Sequence, residues 1–412
     1  MAGSASRSTA LWVVRRLREA GFQALFAGGC VRDMLLRRPS ADYDVATDAT
    51  PQQVKGLFRR VLLVGAKFGV AMVIHKGRRV EVVTFRSDLS YSDGRRPDGV
   101  RFTTAREDAL RRDFTINGMF YDPVARKVID HVGGRRDLRM GVVQTIGRPE
   151  DRFGEDYLRM VRAVRFAVRF GFRLDRATAA AIRRHAPKIT AISGERIADE
   201  LSKMLAEPSA GQALRMLRRL GLARHVLPEM FEPPGAWERA VDRVAAVARH
   251  KDLVGTFGGL LAGLRAASIG RIVRRGGQSN ELRDSLKWMS RHVDDWRRAA
   301  EMPLADFKRL LASPNYTRLE RLWGYEERRT TGKSTCKRRI AQRRRGIPSE
   351  RIAPPPLVTG TDLKALGLAD GPAMGKVLRL LYDAQLNEQV ATRAEAMKLA
   401  QREMARGTGG AL

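Results

Sequence analysis

Two aspartates separated by one residue, Asp42 and Asp44, lie in the segment ADYDVAT at 41–47. If residues 42–46 form a strand, its two-residue period places both carboxylates on one face. Two like charges about 5 Å apart repel by roughly 3 kcal/mol at an effective dielectric near 20. Mg2+ bridging such carboxylates and substrate phosphates is the usual remedy. The pair indicates metal-assisted chemistry on a nucleoside triphosphate, although alternating aspartates also occur on the solvated face of an edge strand.

A glycine turn precedes this pair. The buried run at 24–27 is followed by Gly28 and Gly29, and residues 30–36 have the pattern of a helix that contains Arg32 and Asp33. A strand, a glycine turn and a helix N-terminus expose backbone N–H groups at the positive end of the helix dipole. The turn is therefore a candidate phosphate site, whereas glycine pairs without ligands are also common turns.

Two further segments supply polar side chains. Glu81, in the strand pattern of residues 78–86, is a candidate third carboxylate beside the aspartates, and a surface position is the alternative. Arg112, Asp113 and Asn117 lie in RRDFTINGM, where a guanidinium and a carboxylate suit a ribose hydroxyl and phosphate oxygens. A helix start with charge pairs is the structural alternative for this second segment.

The segment RFGEDYLRMVRAVRF at 152–166 has helical spacing. In a continuous helix, Asp156 and Arg159 are three residues apart, and Glu155, Arg159 and Arg162 share one face. Such spacing is typical of surface ion pairs worth a few tenths of a kcal/mol. We nevertheless include these four residues among the candidate nucleotide-binding residues because of the resemblance described below.

The elements that must position these residues change character along the chain. Residues 1–143 alternate helix and strand patterns, with strands predicted at 23–27, 42–46, 61–64, 70–75 and 80–85 and a proline-opened helix at 51–58. Beyond residue 150 helical periodicity takes over, as in the spacing of Leu201, Met204 and Leu205. The predicted fold class is α+β, with a mixed sheet in the head followed by an all-helical remainder.

Charge narrows the choice of partner. Lys and Arg number 77 against 45 Asp and Glu, so the formal net charge is +32. A surplus of this size spread along the chain favours an extended polyanion, with nucleic acid first and an anionic membrane surface second. No stretch approaches the roughly 18 apolar residues that span a bilayer. The two cysteines are too few for a disulfide framework, and we predict a cytoplasmic protein with reduced thiols.

Arginine and lysine are densest at 328–345, and the glycine- and proline-rich residues 346–356 that follow are a predicted linker. A run of this kind is often only a solvated surface, but the overall charge favours contact with an RNA backbone. A helical module is predicted at 361–405.

Four motifs together resemble one family. GGxVRD, DxDxAT, RRDFTINxM and EDxxR, in this order and spacing, resemble the class II tRNA nucleotidyltransferases, or CCA-adding enzymes, and the related bacterial poly(A) polymerases. The resemblance is dense over residues 23–205. It implies a polymerase-β-like head at 1–143, a neck at 144–208, a helical body with the basic region at 209–345, and a linker and tail at 346–412, in a sea-horse arrangement.

The resemblance also implies roles for individual residues. Asp42 and Asp44 would hold two Mg2+ ions, Gly28, Gly29 and Arg32 would meet the triphosphate, and Arg112 and Asp113 would contact the ribose. Asp156 and Arg159 would select the incoming base without a nucleic-acid template. A carboxylate accepts from the amino group of C or A, whereas U and G present a carbonyl there and leave polar groups unpaired at roughly 1 to 3 kcal/mol each.

The implied substrates are CTP, ATP and the 3′ end of tRNA, with no membrane and no obligatory protein partner. Residues 87–104 resemble the flexible loop that family members use to add the terminal A. Gly118 and Phe120 depart from the common NAMA form, which leaves poly(A) tailing open beside CCA addition and addition of A alone. A non-catalytic RNA-binding protein and a nucleotidyltransferase for small molecules or proteins are the alternatives from other classes.

Overall fold

The computed structural model describes residues 2–40, 42–89 and 99–408, with side chains from residue 6 to 405 within those ranges. The chain divides into two compact units. The first comprises Met1–Val241, Ala248–Lys251 and Arg271–Gln278, and the second comprises Asp242–Val247, Asp252–Gly270 and Ser279–Leu412.

A seven-stranded mixed sheet with the order β3-β4-β5-β2-β1-β8-β9 forms the centre of the first unit. Its strands are β1 (Ala24–Ala27), β2 (Asp44–Thr47), β3 (Val61–Leu62), β4 (Val70–His75), β5 (Arg78–Thr84), β8 (Phe120–Asp122) and β9 (Lys127–Ile129). Two small sheets accompany it, β6 (Arg86–Asp88) with β7 (Val100–Phe102), and β10 (Val142–Val143) with β11 (Arg173–Leu174).

The strand β1 is fully buried, as the apolar run at 24–27 predicts. β2 runs antiparallel to β1 and parallel to β5, with Val45 opposite Val82. This register sets the start of β2 beside the middle of β5 and the end of β1. The acidic segment, the glycine turn and the third predicted carboxylate therefore meet at one edge of three adjacent strands.

Helices flank the sheet and then replace it. They are α1 (Ala2–Glu19), α2 (Gly29–Leu35), α3 (Pro51–Leu57), α4 (Ala105–Leu110), α5 (Gly134–Met140), α6 (Pro149–Glu155), α7 (Leu158–Phe170), α8 (Arg176–His185), α9 (Gly194–Leu205), α10 (Ala210–Arg219) and α11 (Ala223–Val226). Thr50 caps α3 in a capping box with Gln53, and Pro51 occupies the first turn, as predicted for the proline-opened helix.

The rest of the chain is helical. Its helices are α12 (Ala236–Val247), α13 (Leu253–Leu261), α14 (Ala266–Arg275), α15 (Asn280–His292), α16 (Leu304–Ala312), α17 (Tyr316–Thr331), α18 (Thr335–Arg345), α19 (Gly360–Ala365), α20 (Pro372–Leu386) and α21 (Arg393–Thr408). The basic segment at 328–345 is mostly helical, because Trp323 and Ile340 of α17 and α18 bury their side chains in a core with Phe307. The mixed sheet followed by helices confirms the predicted fold class.

Candidate active site

A cavity of about 510 Å³ in the first unit brings most of the predicted site residues together. Of the thirteen candidates, eleven line it: Gly28, Gly29, Arg32, Asp44, Glu81, Arg112, Asp113, Asn117, Asp156, Arg159 and Arg162. Asp42 and Glu155 are not part of the lining. The lining residues come from the sheet, the glycine turn, the segment after α4 and the helices α6 and α7, so segments more than a hundred residues apart share one cavity.

Asp44 occupies the acidic end of the cavity. It begins β2, pairs with Ala27 of β1, and the parallel register of β2 and β5 places it beside Glu81. Burial, the Glu81 carboxylate and the Asp42 carboxylate raise the pKa of Asp44 to about 6, against the lowering effect of Arg112. The Glu81 and Asp42 carboxylates are thus close enough to disfavour the charge of Asp44.

Asp42 differs from the prediction. The strand begins at Asp44 and not at residue 42, so Asp42 precedes β2 and its side chain is exposed. The ladder with β1 extends from Asp44 to Thr47 and the ladder with β5 from Val45 to Thr47, so neither reaches residue 42. Asp42 still acts on Asp44 through its charge.

The glycine turn has the geometry expected of a close backbone approach. Gly28 has φ 71° and ψ −126°, and a Cβ there would lie 3.0 Å from Nη1 of Arg112. Any larger residue would therefore be strained and would also push the guanidinium away. α2 begins at the next residue, so the N–H groups of its first turn open toward the cavity that Gly28 and Gly29 line.

Arg32 is buried at 4% exposure. Its Nε donates to Asp33 at 2.9 Å and its Nη1 donates to the Asn117 side-chain oxygen at 2.6 Å. Burial lowers the pKa of Arg32, and the nearby Arg169 adds to that effect while Asp33 opposes it. The guanidinium carbon lies 4.5 Å from the centre of the Phe170 ring. Arg32 is thus a fixed cation at the cavity wall.

Asp113 lies between the sheet and the helices. It accepts from Nη2 of Arg162 at 2.7 Å, from the Asn117 amide at 3.0 Å and from the N–H of Phe114 at 2.8 Å. Burial alone would raise the pKa of Asp113, but the Arg162 guanidinium and the Asn117 amide lower it to about 2. The prediction that Asp113 meets a ribose stays a prediction; its observed contacts fix Arg162 and Asn117.

The predicted continuous helix over 152–166 is wrong. α6 ends at Glu155, Asp156 has extended backbone angles of −158° and 103°, and α7 starts at Leu158. The break is stabilised because the Asp156 carboxylate accepts from the N–H of Leu158 at 3.1 Å, as a helix-capping side chain does. Asp156 is therefore turned out of the helical surface and lines the cavity.

Arg159 and Arg162 project from α7 on the side of the cavity. Arg159 donates to the Arg152 carbonyl at 2.9 Å and pairs with Glu155, which also accepts from Arg152 at 3.0 Å. The spacing of Glu155 and Arg159 thus forms the ion pair that the sequence predicts. Glu155 does not line the cavity, and it acts on the site through its ion pair with Arg159.

Sequence reasoning did not predict the residues of α9 that pair with Asp156 and with the arginines of α7. Arg196 donates to both oxygens of Asp156, at 3.2 and 2.7 Å. One turn further along α9, Glu200 is 2% exposed and accepts from Arg162 at 3.3 Å and from Arg165. The spacing of Arg196 and Glu200 places both on one helix face, which was the available signal, but their partners lie about forty residues away in sequence.

Guanidinium groups form a large part of the cavity lining. Arg165 and Arg169 line it beside Arg32, and the Arg165 guanidinium carbon lies 4.2 Å from the Phe166 ring centre. Burial lowers the pKa of Arg165, and Arg162 and Arg169 add to that effect. Mutually repelling cations on aromatic faces form a wall suited to a polyanion.

The two departures from the NAMA form lie in the core. A Cβ at Gly118 would meet Ile146 and Val132 side-chain carbons at 2.8 Å, so neighbouring side chains fill the space of an alanine. Phe120 is fully buried against Phe85 and carries the Arg112 guanidinium carbon 5.0 Å from its ring centre. Neither residue lines the cavity.

The predicted flexible loop is described only at its base. Residues 86–88 and 100–102 pair as the antiparallel ribbon β6–β7, whereas residues 90–98 lie outside the described residues.

In the described part of the chain no three or more His, Cys, Asp or Glu side chains are arranged to hold a metal ion by themselves. Among the described helices none has the length and apolarity needed to cross a membrane.

Two segments of the chain match known protein families. Residues 24–144 match the model described as poly A polymerase head domain, and residues 171–232 match the one described as probable RNA and SrmB-binding site of polymerase A. These two segments are therefore similar to the poly A polymerase head domain and to its probable RNA-binding region. The match begins at β1 and ends just after β10, so it contains the glycine turn, both aspartates, Glu81 and the Arg112–Asn117 segment.

Curated relatives that match about half of the chain carry the name CCA-adding enzyme. The chain is 44% identical over 214 residues to that of Geobacillus stearothermophilus, covering 52% of this chain and 53% of the relative. It is 45% identical over 209 residues to that of Bacillus subtilis, covering 50% and 52%. The aligned region thus spans about half the length of these curated relatives. The resemblance inferred from the four motifs is confirmed.

Solved structures extend the similarity over the whole chain. The Bacillus stearothermophilus CCA-adding enzyme in complex with CTP superposes with a TM-score of 0.77 at 29% identity, covering 97% of this chain and 98% of that one. The Thermotoga maritima CCA-adding enzyme complexed with tRNA has a TM-score of 0.65 at 20% identity, covering 96% and 95%, and so shares the fold.

Proposed function

We propose that this protein is a template-independent RNA nucleotidyltransferase that adds C and A, from CTP and ATP, to the 3′ end of tRNA and releases pyrophosphate. One observation carries the proposal. A single cavity is lined by the carboxylates of Asp44 and Glu81, by guanidinium groups that include Arg32, Arg165 and Arg169, and by Asp156 with Arg159. Such a cavity suits a nucleoside triphosphate and has no evident use in a protein that only binds RNA, because an acidic centre repels an anionic ligand.

The acidic end has the donor set for Mg2+. The raised pKa of Asp44, caused by burial and by the Glu81 and Asp42 carboxylates, supports a cation site there. Mg2+ is commonly held by only one or two carboxylates together with water and substrate phosphates, so a larger preformed cluster is not required. Asp42 and Asp44 would hold it, and Glu81 would complete the negative environment. When bound, Mg2+ supplies charge neutralisation at the reacting phosphate.

The remaining residues bind and orient. N–H groups after Gly28, together with Arg32 and the α7 arginines, would hold the triphosphate, and Arg112 and Asp113 with Asn117 would contact the sugar. The 3′ hydroxyl of the RNA would release its proton to solvent and its oxygen would form a bond to the α-phosphorus, while the bond from that phosphorus to the bridging oxygen of the β-phosphate breaks. The pyrophosphate would leave with its charge balanced by the guanidinium wall.

Base selection would depend on Asp156 and Arg159. The Asp156 carboxylate is an acceptor and suits the amino group of C or A, and the Arg159 guanidinium donates to an adjacent ring nitrogen or carbonyl. A carbonyl of U or G facing Asp156 would leave two acceptors opposed, at about 1 to 3 kcal/mol. Relatives described as complexes with CTP and with ATP support the choice of these two nucleotides.

The domain division and the compartment follow as parts of the proposal. We assign 1–143 to a nucleotidyltransferase head, 144–208 to a neck that selects the base, 209–345 to an RNA-binding body, and 346–412 to a linker and tail. Cytoplasmic location would fit a substrate that is tRNA.

An incorporation assay tests the proposal. Purified protein would be incubated with Mg2+, each labelled nucleoside triphosphate in turn, and tRNAs ending before CCA, after CC or after CCA. We expect C and then A on the first tRNA, A on the second, and nothing on the third. Addition of A to the second tRNA only would indicate an A-adding enzyme, and long A tracts on any RNA would indicate poly(A) tailing. No incorporation into any RNA would leave a non-catalytic RNA-binding protein.

A further inference from the structure

The order of the strands gives the cavity two different sides. β2, which carries Asp44, lies between β1 and β5. On the β1 side are Gly28, Gly29 and the guanidinium wall, which the proposed function assigns to the triphosphate. On the other side β5 and β4 contribute Glu81, Val83 and Val70 to the cavity lining.

The geometry of phosphoryl transfer assigns the second side to the RNA. The attacking and leaving oxygens lie roughly in line through the phosphorus. If the pyrophosphate leaves toward the guanidinium wall, the attacking 3′ hydroxyl must come from the side of β5 and β4. Adjacent strands are about 4.8 Å apart, so β4 is about 10 Å from β2. If the sugar of the terminal nucleotide reaches Asp44, its base would therefore lie over β4 or over the residues on the far side of β4 from β5.

Phe102 lies in this direction. It ends β7 of the two-stranded ribbon and is 42% exposed. Its cross-strand partner is Arg86, which lines the cavity and donates to the Phe68 carbonyl just before β4. Directly opposed residues of antiparallel strands have Cβ atoms about 5 Å apart on the same face. The aromatic ring therefore lies next to a guanidinium at the cavity edge.

Backbone contacts hold Phe102 in place. A Cβ at Gly69 would lie 3.0 Å from Cε1 of Phe102, and Gly69 has φ 76°, so the ring edge rests against glycine backbone that leads into β4. The N–H of Thr103 donates to the Phe85 carbonyl at 2.9 Å, and the N–H of Phe85 donates to the Thr47 carbonyl at 2.7 Å. The ribbon is thus tied to β2, the strand of Asp44.

We propose that Phe102, with Arg86 beside it, is the surface on which the 3′-terminal base of the RNA acceptor stacks while its hydroxyl faces the carboxylates. This inference rests on the proposed function. The terminal base of the acceptor changes after each addition, so its site must accept different bases. Stacking on an aromatic face does so, because every base has such a face, and it contributes about 1 to 3 kcal/mol per base.

A simpler role for Phe102 is to cover Gly69. Two different substitutions of Phe102 separate this role from base stacking. Phe102→Leu keeps an apolar side chain over the glycine but removes the aromatic face. Phe102→Tyr keeps the face. Val124→Ala, at an exposed apolar position in the turn between β8 and β9, is the matched control.

Two measurements on the full chain test the inference. In the incorporation assay we expect Phe102→Leu to raise the KM for the RNA acceptor roughly tenfold, with the KM for CTP and ATP changed by less than about twofold. Phe102→Tyr and Val124→Ala should match the wild type. Without nucleotide, binding should quench the fluorescence of an acceptor minihelix that ends in 2-aminopurine, and Phe102→Leu should lose that quenching while Phe102→Tyr keeps it.

The inference would be overturned by a Phe102→Leu protein with wild-type acceptor KM and wild-type quenching. Equal increases in the KM for RNA and for nucleotide would also overturn it, since they indicate a distorted cavity. If the wild type transfers no nucleotide, the proposed function fails, but the quenching experiment still decides whether a terminal base stacks on residue 102. The two failures are therefore distinguishable.

Discussion

At the scale of single residues, the chemistry depends on carboxylates and on guanidinium groups, each of which lies near groups of the same charge. Asp44 has a raised pKa because it is buried beside Glu81 and Asp42. Arg32 and Arg165 have lowered pKa values because they are buried and because Arg169 lies nearby. A magnesium nucleoside triphosphate would bring a cation to the carboxylates and an anion to the guanidinium groups. Each would reduce the electrostatic repulsion among the side chains that it meets.

Substitution of Asp44 should abolish nucleotide transfer without weakening the binding of tRNA. We expect Asp44→Asn to lower kcat by about a thousandfold or more, because the cation loses its charged ligand, while tRNA affinity stays within about twofold. Steady-state incorporation and a filter-binding assay measure the two quantities. Asp151→Ala, at an exposed side chain that only pairs with Arg148 at 3.7 Å, is the control. Parallel loss of transfer and binding in Asp44→Asn would mean that Asp44 is structural.

Asp113 predicts a dependence of stability on pH. Its pKa is lowered to about 2 from the ordinary value of 3.8, so its ionised form stabilises the fold by about 2 kcal/mol. Because the folded pKa is the lower one, this stabilisation is complete above about pH 4 and is lost as the pH falls toward 2. Asp113→Asn should therefore unfold at lower urea concentration than the wild type at pH 7.

The difference between the two proteins in free energy of unfolding should stay constant from pH 7 to 5 and narrow below pH 4. A difference that is independent of pH down to 3 would show that the charge of Asp113 does not act on the fold. Asp151→Ala serves again as the control, since its carboxylate is exposed.

At the scale of elements, α9 fixes the wall that α6 and α7 present to the cavity. Arg196 holds Asp156 and Glu200 holds Arg162 and Arg165. The start of α9 is itself closely packed, because a Cβ at Gly194 would lie 2.2 Å from the carbonyl oxygen of Arg275. A glycine is therefore required where α9 approaches another backbone segment of the first unit.

Removal of Arg196 should relax base selection more than it weakens RNA binding. In Arg196→Ala the Asp156 carboxylate keeps only the N–H of Leu158 and is free to rotate. We expect the ratio of kcat/KM for CTP over UTP to fall roughly tenfold, with an unchanged acceptor KM. Arg196→Lys, which can restore one donor, should recover part of the ratio. Asp199→Ala, exposed on the same helix, should keep the wild-type ratio; an unchanged ratio in Arg196→Ala would exclude positioning of Asp156 as its role.

The elements also show how far sequence alone could predict the site. The buried run before Gly28, the alternation at Asp44 and the strand of Glu81 are local signals, and each element formed close to the predicted range. The break at Asp156 was not predicted, because local propensity over 152–166 favours one helix and the carboxylate that caps the break is part of the same segment. Arg196 could not be paired with Asp156, since that contact depends on the packing of α9 against α7.

At the scale of the whole molecule, the net charge of +32 acts beyond the cavity. The basic residues of α17 and α18 form ordered helices around a core that contains Trp323 and Ile340. Arg338 and Arg345 are exposed on α18. An ordered and strongly basic helix is suited to a phosphate backbone, whose binding releases counterions.

The affinity for tRNA should therefore fall steeply with salt. We expect a linear plot of log affinity against log salt concentration, whose slope becomes less steep by about 1 to 2 when Arg338 and Arg345 are both replaced by Gln. Lys127→Gln, on the exposed edge strand β9, is the control for loss of a positive charge elsewhere. A slope that the double substitution leaves unchanged would place the RNA contacts outside α18.

The central claim is that the cavity holds a nucleoside triphosphate with its phosphates between Asp44 and the arginines of α7. The most direct measurement is a crystal structure with Mg2+ and a non-hydrolysable analogue of CTP. The account predicts metal–oxygen distances of about 2.1 Å to Asp42 or Asp44, phosphates against Gly28 and Arg32, and the cytosine amino group on Asp156. A nucleotide bound elsewhere, or bound here with neither aspartate contacting the metal, would contradict it.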